Sequence, residues 1–210
     1  MIYGAINIPV LDRVPSAARR ILDIGCGDGA FGRAVKARQP ATVAGVTFSD
    51  EEAARAREHL DSVVTRDLES ASLVDLGQFE CVVCSHVLEH LRDPVRVLKS
   101  LRDNLTKDGV VLVALPNALH YRQRLAFLGG RFRYTDGGLM DRTHYRFFDW
   151  ATAQELIAEA AFTAESVEAV GGWPGSRFAG PLRASLDRVA VAASPGLFGV
   201  QFVVTARARS

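Results

Sequence analysis

His86, Glu89 and His90 stand at positions i, i+3 and i+4. On a helix this spacing puts three side chains on one face, where two imidazoles and a carboxylate can carry protons or hold a cation. A further side chain of the same chemistry, His144, falls in a stretch rich in aromatic and basic residues. Histidine is suited to taking a proton near neutral pH. Arg142 and Arg146 flank it, so like charge is expected to depress the His144 pKa and keep the ring neutral. His144 is therefore the first candidate for a general base and His86 the second. The bland alternative for each is a hydrogen-bonded packing or surface residue.

Different chemistry is written into residues 20–32. Arg20-Ile21-Leu22-Asp23-Ile24 is an apolar run too short for a helix and reads as a buried parallel strand. Gly25, Gly27 and Gly29 then alternate, and a helical pattern begins near Ala30. Strand, glycine turn and helix let a ligand approach backbone N–H groups and a helix N-terminus. Gly25-x-Gly27-x-x-Ala30 satisfies the dinucleotide fingerprint, which alone is weak evidence. It would imply NAD and an oxidoreductase. Asp23 disfavours that reading, because a pyrophosphate site would not want a carboxylate beside it. A ligand carrying positive charge would.

The elements that position these residues follow from pattern and punctuation. A helix is expected over 8–19, interrupted by Pro15. Strands are expected over 20–24, 42–46, 61–65, 79–84, 110–115, 162–170 and 197–206, and helices over 29–38, 50–59, 94–105, 151–160 and 182–192. Ser49 followed three residues later by Glu52 is a capping-box signal. A short helical turn is expected within 70–76 and another over 86–91. Lys107-Asp108-Gly109 reads as a turn. Strands alternating with helices make an α/β fold with a mostly parallel sheet. Residues 116–148 break the rhythm and read as a lid-like insertion over the sheet's C-terminal edge. Residues 171–196 form a second insertion in what is otherwise one domain over 1–210. His120, Tyr121, Trp150, Trp173, Arg131, Arg133 and Arg142 are candidates to line an acceptor site.

The chain has 210 residues, a net charge of +1 and 48% hydrophobic residues. The charge gives no reason to expect nucleic acid or an anionic membrane as partner. No apolar run reaches membrane-spanning length and no signal-peptide pattern opens the chain, so a cytoplasmic location is expected. Cys26, Cys81 and Cys84 imply no disulfide framework. Cys81 and Cys84 are expected on opposite faces of one strand, as core thiols. A homo-oligomer is compatible with all of this.

The run Asp23-x-Gly25-x-Gly27-x-Gly29 resembles motif I of class I S-adenosylmethionine (SAM) methyltransferases. Val82-Val83-Cys84-Ser85-His86-Val87-Leu88-Glu89-His90-Leu91 is similar to the strand-four motif of their small-molecule members. The run from Leu139 to Phe148, after Leu115-Pro116-Asn117, resembles a subgroup associated with glycan and polysaccharide metabolism, the small sugar O-methyltransferases of methylmannose polysaccharide biosynthesis among them. The resemblance implies a Rossmann-like seven-stranded sheet of order 3-2-1-4-5-7-6, with the seventh strand antiparallel and helices on both faces. It implies SAM as cofactor and methyl transfer to a hydroxyl of a small polar acceptor, a sugar or oligosaccharide.

Carried over residue by residue, Asp23 would anchor the SAM amino group, and Gly25, Cys26, Gly27 and Gly29 would surround its methionine part. The family usually places an acid at the end of the second strand to grip both ribose hydroxyls. This chain has Thr47 there, followed by Phe48 and Ser49, and a threonine makes one such bond and not two. Phe48 would pack on adenine. Asp67, with Leu68 beside it, matches the acid that accepts from the adenine amino group, and Ser85 and His86 match positions near the sulfur. Glu89 and His90 resemble part of the Glu-x-x-Glu-His run of metal-dependent methyltransferases, with His86 replacing the first Glu and His144 as the distant ligand. A divalent cation, magnesium or similar, would then sit on Glu89, His90 and His144, although this donor set favours softer ions. A methyltransferase-fold regulator without a usable base is the remaining rival.

Overall fold

Arg20–Ile24 forms the first strand, β1, and all of it but Arg20 is buried. The others are β2 (Thr42–Thr47), β3 (Ser62–Thr65), β4 (Phe79–Ser85), β5 (Leu105–Pro116), β6 (Phe162–Gly171) and β7 (Gly199–Ala208). They make one seven-stranded sheet of order 3-2-1-4-5-7-6. The first five strands run parallel, and β7 is antiparallel to both β5 and β6. The sheet expected from the sequence is the one found. The computed structural model describes residues 6–175, 178 and 180–209. Positions 176, 177 and 179 of the second insertion, and residues 1–5 and 210 of the expected single domain, lie outside them.

The helices are α1 (Ile8–Leu11), α2 (Ala30–Arg38), α3 (Asp50–Ala56), α4 (Pro94–Ser100), α5 (Tyr121–Leu128), α6 (Trp150–Glu159), α7 (Arg183–Ala193) and α8 (Pro195–Phe198). Because side chains alternate along a strand, the sheet feeds two cores. Leu22, Ile24, Val82 and Cys84 pack with Val97 and Leu98 of α4 and Leu156 and Ile157 of α6. Ile21, Cys81 and Val83 pack on the opposite face with Val10, Val35 and Ala56, from α1, α2 and α3. Cys81 and Cys84 therefore face opposite ways, as expected, and both are free and buried.

Several boundaries differ from expectation for identifiable reasons. The helix expected over 8–19 is one turn, since Pro15 removes a donor and disfavours the helical region for the residue before it. The helix expected to reach position 59 stops at Ala56. Beyond it the Asp61 carboxylate accepts from Val43 N (2.8 Å) and draws the chain into β3. The 107–109 turn lies inside β5, opposite a register shift in β4 between Phe79 and Cys81. Within 86–91 only Leu88–His90 is helical, as a 3-10 turn, because His86 takes a left-handed φ of 55°. The 116–148 segment contains α5, which buries none of its residues and so shows no apolar period.

Candidate active site

β1 pairs with β2 on one side and β4 on the other. The loops leaving β1 and β4 therefore part at a topological switch point on the sheet's C-terminal edge, the place where open α/β sheets take their ligands. The glycine loop forms one wall. Gly25 N and Cys26 N both donate to the Val46 carbonyl (2.8 and 2.9 Å), which holds the loop against β2. Gly25, Gly27 and Gly29 all have positive φ, a region costly for residues with a side chain. A Cβ on Gly25 would strike Val87 at 2.9 Å, and one on Gly29 would lie 3.1 Å from Ala56 Cα. A Cβ on Gly27 would meet nothing within 4 Å, so this glycine borders open space. The Cys26 side chain turns inward to the core, and burial pushes its thiol pKa well up. Of the expected set, Cys26 offers its backbone alone.

Asp23 lies under this loop, 3% exposed, and its Oδ2 has no hydrogen-bond partner. Burial raises its pKa to about 7. A buried carboxyl oxygen without a partner is costly, and a ligand ammonium would supply both the partner and the charge.

Thr47 ends β2 with its side chain buried. Its Oγ1 donates to Glu52 Oε2 at 2.6 Å, across the first turn of α3. Ser49 caps that helix by accepting from Glu52 N (3.3 Å). The sequence marked Glu52 only as a capping residue, yet its carboxylate turns to Thr47. Phe48 is 79% exposed, an apolar ring with nothing over it. Asp67 uses its two oxygens within its own loop, accepting from Glu69 N (2.9 Å) and Ser70 Oγ (3.0 Å). Leu68 packs against the core beneath.

The opposite wall follows β4. His86 Nδ1 stands 3.2 Å from Glu89 Oε1, and His86 Nε2 stands 2.8 Å from Gln201 Oε1. Asn7 Nδ2 donates to Ser85 Oγ (3.1 Å) and to Gln201 Oε1 (2.9 Å). Asn7 and Gln201 belong to this site although nothing local in the sequence marks either one. Burial alone would lower the His86 pKa, but the Glu89 carboxylate outweighs it and the pKa is raised.

His86 thus does not share a helical face with Glu89 and His90 as expected. The group that does assemble is Glu89, His90 and His144, with one ligand atom from each within 4.8 Å of the others. The His90 and His144 rings meet edge to face at 4.7 Å. Glu89 is wholly buried, and its Oε2 and the Nδ1 of His144 have no hydrogen-bond partner. The Glu89 carbonyl accepts from Tyr145 N (2.9 Å) and Arg146 N (3.0 Å), which docks the end of the 116–148 segment on the 3-10 turn. Thr143 Oγ1 lies 3.0 Å from His90 Nδ1 and donates to Asp141 Oδ1 at 2.7 Å.

The His144 pKa is lowered as expected, but by burial first and by the neighbouring His90, with Glu89 and Asp141 pulling the other way. The flanking arginines are turned elsewhere. Arg142 pairs with Asp136 (2.8 Å), and Arg146 donates to the Arg92 carbonyl. His120 is buried with its Nδ1 unpartnered, against Tyr121. Trp150 packs on Phe202 as a core anchor, whereas Trp173 is half exposed.

Residues 7–167 match a family model described as a methyltransferase domain. Curated relatives named ubiquinone biosynthesis O-methyltransferase include one from Psychrobacter arcticus, 27% identical over 161 residues (72% of this chain, 62% of the relative). Another, from Xanthomonas campestris pv. campestris, is 30% identical over 155 residues (71% and 63%). The chain thus spans about three-fifths of the length of these relatives. Among solved structures, an S-adenosylmethionine-dependent methyltransferase from Mesorhizobium loti shares the fold with a TM-score of 0.66 and 21% identity, covering 97% of this chain and 98% of that one. A [4+2]-cyclase also shares it, with a TM-score of 0.62 and 19% identity over 96% and 80%. The fold alone therefore does not name the chemistry.

Proposed function

The chain belongs to the methyltransferase-domain family, and from that premise we propose that it is a SAM-dependent O-methyltransferase acting on a hydroxyl of a small polar acceptor. The observation that carries the cofactor is the buried, partnerless Asp23 Oδ2 under a glycine loop whose Gly27 borders open space. Asp23 would take the cofactor's ammonium, and the glycine loop would close on its methionine part. The NAD reading finds no support, since it leaves Asp23 against a pyrophosphate. SAM brings an already activated methyl, so the protein's work is alignment and removal of the acceptor's proton.

For that proton the site offers His144, whose neutral ring is favoured by burial. A second reading uses the same residues as ligands: Glu89, His90 and His144 would hold a divalent cation that acidifies the hydroxyl. The buried Glu89 Oε2 and His144 Nδ1, neither with a hydrogen-bond partner, favour it. A fold used only as a scaffold would have no need of either. For the acceptor, the 139–148 run supports a sugar or oligosaccharide, and exposed Phe132 and Tyr134 are rings suited to stacking on sugar faces. The relatives' name puts forward a hydroxyl of an intermediate in ubiquinone biosynthesis as the second class. Calorimetry with S-adenosylhomocysteine, followed by methyl transfer from labelled SAM to a panel of both acceptor classes, tests the reading. Absence of cofactor binding overturns it.

A further inference from the structure

We propose that Glu52 binds the vicinal diol of the cofactor's ribose, taking over from α3 a task for which β2 ends in Thr47. The inference rests on the cofactor reading above and names a residue for it. Thr47 is buried and its single hydroxyl proton is committed to Glu52 Oε2 at 2.6 Å. It has no second donor or charge to offer a ligand. What the pair presents instead is a tethered carboxylate. Glu52 is half buried, and among the described residues no cation pairs with it. One of its oxygens is left to accept freely, and the other keeps a lone pair.

Its position matches the role. α3 packs on the glycine loop, with Ala56 against Gly29, and the Glu52 charge is felt at Cys26 within that loop. The strand order sets out the rest: Asp67 follows β3, Glu52 stands over the end of β2, Asp23 and the glycines close β1, and His86 and Glu89 follow β4. A ligand lying along this edge with its ammonium at Asp23 and its base toward β3 places its sugar at β2. Two adjacent hydroxyls are donors that a carboxylate accepts together, as it does the two N–H groups of a guanidinium.

The test compares S-adenosylhomocysteine with its 2′-deoxy analogue by calorimetry on the wild type, Glu52→Gln, Thr47→Val and the double variant Thr47→Asp/Glu52→Gln. The wild type should prefer the hydroxylated ligand by roughly tenfold or more, the size expected for a bond to a charged acceptor. Glu52→Gln is isosteric, and its thermal unfolding reports whether the fold is kept. It should lose most of that preference by weakening S-adenosylhomocysteine alone. Thr47→Val should move the same way by less, and the double variant should recover the preference. Undiminished discrimination in a folded Glu52→Gln overturns this inference and leaves the cofactor reading standing. A wild type that binds neither ligand overturns both.

Discussion

The two oxygens of Glu89 differ: Oε1 lies 3.2 Å from His86 Nδ1, and the buried Oε2 has no hydrogen-bond partner. His86 in turn has an acceptor at each ring nitrogen, Glu89 on one and Gln201 on the other. Only the imidazolium donates from both nitrogens, consistent with a raised pKa. A ring held protonated is a poor base. We expect His86→Gln to keep turnover within about tenfold, whereas loss of a general base costs about 10²–10⁴-fold. If a folded His86→Gln falls as far as His144→Ala, the roles assigned to the two rings are exchanged.

Asp23 should reveal itself through protons. Its carboxyl is raised from 3.8 to about 7 by burial, so between those values the folded state binds a proton that the unfolded state has lost. Its contribution to stability is complete below 3.8 and falls away as pH rises toward 7, a difference on the order of 4 kcal/mol. Asp23→Asn should therefore raise the melting temperature of the ligand-free protein at pH 8 more than at pH 5, while weakening the cofactor. In the wild type at pH 6, S-adenosylhomocysteine should displace about one proton, read by calorimetry in buffers of different ionisation enthalpy. No buffer dependence at pH 6 would remove the ammonium from Asp23.

Two glycines of one loop should respond differently to a methyl group. At Gly27 the added Cβ meets nothing, so the cost is that of a left-handed φ, about 1–2 kcal/mol. At Gly25 the Cβ also strikes Val87 at 2.9 Å. Gly27→Ala should unfold cooperatively near the wild-type temperature and Gly25→Ala well below it. Extending the first to Gly27→Val should abolish cofactor binding, because its side chain then fills the space the ligand needs. Unchanged affinity in Gly27→Val would mean that the ligand does not approach this loop.

These contrasts also show which parts of the site a sequence can display. β1 and the glycine run were legible because a short apolar run, an acid and three glycines of left-handed φ are local matters. His86 was misplaced on a helical face because its positive φ is set from afar. Its N–H donates to the Ala114 carbonyl (3.1 Å), and its ring rests on Gln201, 115 residues away. Asn7 and Gln201 meet only in the folded sheet. Glu52 carried a true local signal, the cap with Ser49, and that signal hid its bond to Thr47. α5 was invisible because a helix with no buried face has no period to read.

The 116–148 segment should close on its ligand over only part of its length. Its two ends are pinned: Ala118 N donates to the Phe148 carbonyl (2.8 Å), and Tyr145 N and Arg146 N are fixed to Glu89. Between them, Leu125, Leu128, Phe132 and Tyr134 are exposed. We expect trypsin to cut at Arg122, Arg124, Arg131 and Arg133 in the free protein and several-fold more slowly once S-adenosylhomocysteine and an acceptor are bound. Cleavage at Arg146 should be slow in both states. Equal rates at Arg131 and Arg133 with and without ligand would exclude closure.

Base and metal chemistry at His144 separate by chelation and by Glu89. If His144 acts alone as a base, EDTA leaves the wild type active, and His144→Ala loses about 10²–10⁴-fold in turnover with cofactor affinity intact. If Glu89, His90 and His144 hold a cation, EDTA silences the wild type and a divalent ion restores it. Each single ligand variant should then be as damaging as the next, because the ligands act together. Two imidazoles and one carboxylate should favour zinc, manganese or cobalt over magnesium in the restoration series. Glu89 requires a control, since it also faces His86: Glu89→Gln keeps the shape and removes the charge, and its unfolding temperature separates lost ligation from lost structure. Glu89 Oε2 and His144 Nδ1 are both buried without a hydrogen-bond partner, which makes restoration by a divalent ion the expected result. EDTA resistance together with a folded, active Glu89→Gln would leave His144 as base alone, and an active His144→Ala would sink both mechanisms.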